Sequence, residues 1–308
     1  MTRSQRRLRH PVSAPAVTSA PTDPSGLSGF GRRRSPLSGD LPAPVAALAG
    51  LALVLLALPL ASLLAQVPWS GAGGVLSRAA TTQALRLSLV TSLSAATLAL
   101  VLGVPVAWLL ARPTVPGLGL IRALATLPLV LPPVVAGVAL LAAFGPQGTT
   151  GRWLEDVLGV RLAFSTAGVV LAELFVAMPF VVLTTEAGLR QLDRRHEEAA
   201  ATLGAGRWAV FRTVTVPLAA PSLAAGAALA WARALGEFGA TITFAGNLPG
   251  RTQTLPTSIY LALEDDPGAA GVLSALLVVA AVAVLVALRG RWLVRPGGPS
   301  RGAAGQLA

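Results

Sequence analysis

Apolar residues gather into six long runs along this chain, and the polar stretches between them are rich in arginine, glycine and proline. A helix needs ~20 apolar residues to cross the hydrocarbon core of a bilayer. Residues 44–67, 87–110, 124–144, 166–183, 218–244 and 268–288 meet or approach that length. The second and third runs carry no charge. Glu173 lies in the fourth, and Arg233 and Glu237 lie in the fifth. The pattern predicts an all-α integral membrane protein with about six transmembrane helices, filling residues 44–289. Prolines punctuate it: Pro105 in the second run, Pro128, Pro132 and Pro133 in the third, Pro179 in the fourth. Each removes a helix hydrogen bond and invites a kink. The densest stretch, LPLVLPPVVAG at 127–137, reads as a bent helix that either only packs or lines a gate.

Composition narrows the class. The 308 residues are 54% hydrophobic and 12% charged, against about 25% charged in ordinary soluble domains. Mean hydropathy is +0.69. The absence of cysteine excludes disulfides, thiolate metal sites and a cysteine nucleophile. A net charge of +11 raises the question of nucleic acid, but all 24 basic residues are arginines and most flank the apolar runs. The expected partner is therefore a lipid bilayer and not nucleic acid. Residues 1–43 lack periodicity and read as a disordered, arginine- and proline-rich cytoplasmic tail. Residues 290–308 read as a short second tail. Arg6-Arg7 and Arg32-Arg33-Arg34, ahead of the first run, also leave a cleaved export signal open.

Arginine placement predicts orientation, because short cytoplasmic segments collect positive charge. With the N-terminus inside, eighteen arginines fall on the cytoplasmic side and five outside; without the N-terminal tail the ratio is eleven to five. Both termini are then cytoplasmic, and so is the polar loop at 190–217.

That loop carries the most specific spacing in the chain. Glu198-Ala199-Ala200 is followed after three residues by Gly204, after nine more by Val214, and then by Val216-Pro217. It reads as two short helices meeting at a glycine. Asp193 can cap the first helix, Glu197 and Glu198 suit the positive end of its dipole, Gly204 can end it, and Pro217 suits the first turn of the second. This pattern resembles the EAA loop of ABC-importer permeases, with Val214 and Val216 in place of the usual Ile and Leu. The resemblance implies that Glu198, Ala199, Ala200, Gly204, Val214 and Pro217 belong to a coupling element that docks on a separate ATPase subunit.

The second informative stretch is WARALGEFGATITFAGN at 231–247. Charges inside a membrane helix are costly and tend to pair. Arg233 and Glu237 are four apart, on one helix face. Gly236, Gly239 and Gly246 allow close backbone approach. Thr241, Thr243 and Asn247 supply uncharged donors, which suit an anion that must pass without being trapped. The stretch resembles the GEFGAT segment of the molybdate and sulfate importer permeases. The residues after Ala240, with PGRTQTLPTSIY at 249–260, resemble the molybdate branch. A departure is Pro221-Ser222, where the family has Pro-Gly and a glycine-dependent turn is expected.

The resemblance implies a type I ABC importer permease. It would act as a homodimer with two ATPase subunits and an extracytoplasmic molybdate-binding protein. It would move molybdate or tungstate by alternating access. Gate candidates are Pro132, Pro133, Gly236, Glu237, Phe238, Gly239, Ala240, Thr241 and Asn247. No cofactor or metal is expected on this chain; ATP and Mg²⁺ would be used by the ATPase. The chain has no GxxxxGK[ST] phosphate loop and no HExxH, so it does not read as an enzyme. Two alternatives stay open: a sulfate or thiosulfate permease of the same architecture, and an ATP-independent carrier using Glu173 and Glu186 as an intramembrane carboxylate pair.

Overall fold

The computed structural model describes residues 42–112 and 116–292. The tails expected at 1–43 and 290–308 lie outside it except for residues 42–43 and 290–292. The chain divides into two units at Leu55 and Leu56, inside the first helix, α1 (Ala43–Gln66). In the first unit the described residues are the opening half of α1. Alanine, leucine and valine occupy every side of it, as in a helix whose solvent is lipid.

The second unit continues through α2 (Ala72–Leu76), α3 (Ala79–Leu110), α4 (Leu118–Val130), α5 (Pro133–Phe144), α6 (Thr149–Leu158) and α7 (Thr166–Gln191). Then follow α8 (Arg195–Thr202), α9 (Arg207–Val210), a π-helical turn (Phe211–Thr215), α10 (Val216–Leu235), α11 (Gly239–Phe244), α12 (Leu255–Asp265) and α13 (Pro267–Trp292). Helix α3 buries a stripe of small residues, including Ser88, Thr91, Ser92, Ala95, Ala99, Gly103 and Ala107. Small residues let membrane helices approach closely where no hydrophobic effect drives them together. Against this stripe α3, α7 and α10 form the centre, with Ala95, Ala99, Ala177, Val181, Ala230 and Ala234 in contact. Thr91 meets Glu173 and Leu110 meets Arg190, so α3 and α7 run parallel. Trp231 bonds Ser92, and Gly188 faces Ser222, so α10 runs back between them.

Among the described residues, five helices or continuous helical runs are long and apolar enough to span a membrane. The third apolar run is different. It breaks after Val130 into α4 and α5, bent by 120°. The pair still passes from one end of the bundle to the other. At one end Arg122 of α4 pairs with Glu186. At the other, Phe144 of α5 packs with Ala163 and Ala172. Glu186 and Ala172 are ~21 Å apart along α7 at the ordinary helical rise. It is thus a sixth, broken span and not a straight helix. A further correction concerns the fifth run, whose helix stops at Leu235; residues 239–244 form the separate α11. No turn forms at Pro221-Ser222, which lies inside α10. There the Ser222 hydroxyl donates to the Ala219 carbonyl while its side chain fills the space beside Gly188.

The junction of α12 and α13 is tied by Asp266. Its carboxylate accepts from the Ala269 N–H at 3.0 Å and from Arg78 at 2.9 Å. The Ala269 bond, then Arg78, hold this carboxyl below its usual range. A lowered folded pKa adds stability above the ordinary aspartate range, and that stability is lost as pH falls through the lowered value. Asp266→Asn should therefore melt below the parent at neutral pH. The gap should close as pH drops below about 4, the ordinary aspartate value, in thermal melts of detergent-solubilised protein.

Candidate functional site

The polar loop lies where α3 and α7 end and α4 begins. The Asp193 carboxylate accepts from the Arg195 N–H at 3.0 Å and opens α8. The helix closes in a Schellman arrangement. Ala205 N–H donates to Ala200 O, Gly204 N–H donates to Ala201 O, and Gly204 takes φ +88°. A short helix, α9, already forms at Arg207 after Gly206. Pro217 stands in the first turn of α10, as the spacing predicts. It follows the π-helical turn 211–215, in which Val216 N–H reaches back to Phe211 O. The wide turn sits just ahead of a residue that cannot donate to the ladder. Val214 is half-buried and Pro217 exposed. Glu198, Ala199 and Gly204 face outward, next to two large apolar side chains, Leu203 and Trp208, at 89% and 72% exposure.

Glu197, one position earlier, turns inward. It accepts two bonds from Arg112 just past α3 and one from Thr215 of the π turn. Sequence reasoning gave it only a place near the helix dipole; nothing local links positions 112, 197 and 215.

Deeper in the bundle the two helix breaks meet. Pro132 caps α5 and Pro133 opens it. A Cβ on Gly239 would stand 2.7 Å from Pro133 Cβ, and one on Gly137 would stand 2.6 Å from Thr243 Cβ. The structure thus brings Pro133 and Gly239 into contact, across 106 positions of sequence. Gly236 makes no such approach, and Gly246 instead takes φ +75°. Glu237 lies in the break between α10 and α11, 1% exposed. One of its oxygens accepts from the Ala240 N–H at 2.8 Å, and the other pairs with Arg233 at 2.5 Å. The pair expected on one helix face is formed, but across a helix end. Phe238 packs on Tyr260 with ring centroids 5.0 Å apart. Ala240 is buried. The hydroxyl of Thr241 and the amide oxygen of Asn247 are buried without a hydrogen-bond partner among the described residues. The Thr243 hydroxyl is committed to Gly239 O.

Glu173 and Glu186 are not a pair. Glu173 accepts from the Thr91 hydroxyl at 2.9 Å, while Glu186 holds Arg122 and, at 2.8 Å, Arg190. Thirteen positions along α7 separate the two carboxylates by ~20 Å. Among the described residues, no group of three or more His, Cys, Asp or Glu side chains could hold a metal ion.

Residues 103–295 match the family described as binding-protein-dependent transport system inner membrane component. The chain belongs to this family. Its permease character is repeated in relatives. The molybdenum transport system permease protein ModB of Mycobacterium tuberculosis is 45% identical over 252 residues, 82% of this chain and 95% of the relative. The sulfate transport system permease protein CysT of Escherichia coli is 37% identical over 73% of this chain and 82% of its own. Among solved structures, a bacterial ABC transporter that imports alginate shares the fold. Its TM-score is 0.63 at 17% identity, over 82% of this chain and 96% of that one. This permease is therefore a multi-pass protein of the cytoplasmic membrane and a transport component, not an enzyme. The GEFGAT break and the loop at 198–217 both lie inside the matched region.

Proposed function

We propose that this permease forms the membrane pathway of an ATP-driven molybdate importer. The observation that carries the reading is the similarity to ModB, which exceeds that to the sulfate permease in both identity and length covered. In this reading the chain dimerises and the pathway runs at the interface. Two ATPase subunits supply the energy, and an extracytoplasmic binding protein delivers molybdate or tungstate. Between Arg112 and Arg212 the loop end of the bundle carries seven arginines against four acids. The far end carries five against five. That asymmetry supports a cytoplasmic position for the loop.

Coupling is assigned to the outward surface of α8 and the turn after it: Glu198, Ala199, Ala200, Gly204, Leu203 and Trp208, with Val214 and Pro217 behind. The gate is assigned to the meeting of the two breaks, Pro132 and Pro133 with Gly236 to Thr241, and Asn247 beyond α11. ATP binding would draw the loops of the two copies together and open the gate outward; hydrolysis would reset it inward.

Two loop variants test this reading. A Cβ at Gly204 meets nothing within 4 Å, so Gly204→Asp costs only the ~1–2 kcal/mol of a left-handed non-glycine residue. Glu198 is exposed, so Glu198→Lys leaves the fold intact. Both variants should insert at normal levels, yet lose about tenfold or more of their uptake, the range of coupling effects between sites. Parental uptake by both at normal expression removes the coupling assignment.

A further inference from the structure

Helix α8 has eight residues and buries none of them. A helix this short is not stable alone, and no apolar core holds this one. It is flanked by an extended residue, Leu192, and by the left-handed Gly204. Either flank can act as a hinge, so a push on the outer face of α8 would be dissipated unless something fixes the inner face.

That fixture is polar. Arg112 Nη2 donates to both Glu197 oxygens, at 3.1 and 2.9 Å, and the Thr215 hydroxyl donates to Oε1 at 2.6 Å. Charge-assisted bonds of this kind are the strong ones. The ion pair is part-buried, with side chains 31% and 21% exposed, so water screens it less than a surface pair. The Arg112 guanidinium also lies 4.6 Å from the centre of the Trp108 ring. Trp108 meets Phe211 edge-on at 5.9 Å, and Phe211 stacks on Trp208 at 5.6 Å. The carboxylate therefore joins three elements: α8, the end of α3, and the π turn that leads into α10. Helices α3 and α10 are two of the three that make the central core.

We infer that Glu197, acting through Arg112 and Thr215, is the positioning residue that makes α8 move as one body with α3 and α10. The inference rests on the coupling role proposed for the loop. Glu198 meets the partner subunit; Glu197 turns the partner's displacement into helix movement. Losing the clasp leaves the docking face present and the ATPase bound, but lets α8 swing on its flanks.

The test uses the whole transporter in proteoliposomes: permease, ATPase and binding protein, with labelled molybdate as probe. Glu197→Ala and Arg112→Ala should retain bound ATPase within about twofold of the parent, while uptake falls about tenfold and ATP hydrolysed per molybdate rises to match. The double variant should be no worse than either single change, because both remove one interaction. Glu197→Gln, which keeps an acceptor for Thr215 and Arg112 but loses the charge, should fall between. Parental uptake and stoichiometry in Glu197→Ala would overturn the inference. So would multiplying effects in the double variant, or loss of ATPase binding in step with uptake, which would make Glu197 a docking contact. Should Glu197→Ala not accumulate, Arg112→Ala gives the same readout with α8 unaltered. A parent whose uptake ignores the ATPase would remove the coupling reading itself, a result separable from any behaviour of the variants.

Discussion

Glu237→Leu is expected to lose transport and to be the most destabilising single change in the bundle. The carboxylate is 1% exposed and both of its oxygens are engaged, one by Arg233 and one by the Ala240 N–H. Leucine fits the volume but satisfies neither partner. Arg233 loses its counter-ion, and because its side chain is 29% exposed the cost falls below the about 3–5 kcal/mol of a fully buried unpaired charge; the orphaned N–H adds about 1–3 kcal/mol. The damage falls on the break between α10 and α11, whose second helix starts under this carboxylate. Glu237→Gln separates the two contributions. Its amide oxygen can still accept from Ala240, so only the charge is lost and an intermediate effect is expected. Thermal unfolding in detergent should rank the parent above Gln and Gln above Leu. Equal melting of all three would show that the carboxylate holds nothing.

The second large effect is expected at the contact of the two breaks. Gly137→Val places a side chain where even a lone Cβ would stand 2.6 Å from Thr243 Cβ and 2.9 Å from the Ala240 carbonyl. The nearest obstacles belong to a β-branched side chain and to backbone, and neither can swing aside. Overpacking of this kind costs about 1–3 kcal/mol, and here it also pries α5 away from α11. Uptake should fall more than the melting temperature, since the displaced elements are the proposed gate. Gly74→Ala is the matched control, because a Cβ there meets nothing within 4 Å. It should transport and melt like the parent. Parental uptake by Gly137→Val would place the gate elsewhere.

Much of this was legible in the chain, and the reasons differ by element. The spans were legible because the bilayer imposes a minimum length on apolar runs. The polar loop was legible because its caps and glycine are local chemistry: Asp193 and Gly204 do what those residue types do at helix ends. The prolines at 128, 132 and 133 marked a bend, but nothing in proline chemistry gives 120°. The end of α10 was hidden by apolar density that continues through Phe238 to Phe244. The sign of it was there in Glu237, whose carboxylate can cap an N–H three residues later. The π turn left no composition signal. The clasp of Arg112 and Glu197 spans 85 positions and exists only once α3 and α7 lie parallel, so no reading of nearest neighbours could reach it.

The central claim is ATP-driven import of molybdate. Its most direct test is uptake of labelled molybdate at nanomolar concentration, with a large excess of sulfate. The cells would lack their own high-affinity molybdate importer and carry this permease with its ATPase and binding protein. Uptake should persist in sulfate and vanish when the ATPase is omitted. Uptake abolished by sulfate would move the substrate to the sulfate branch, and uptake indifferent to the ATPase would contradict the coupling role of the loop.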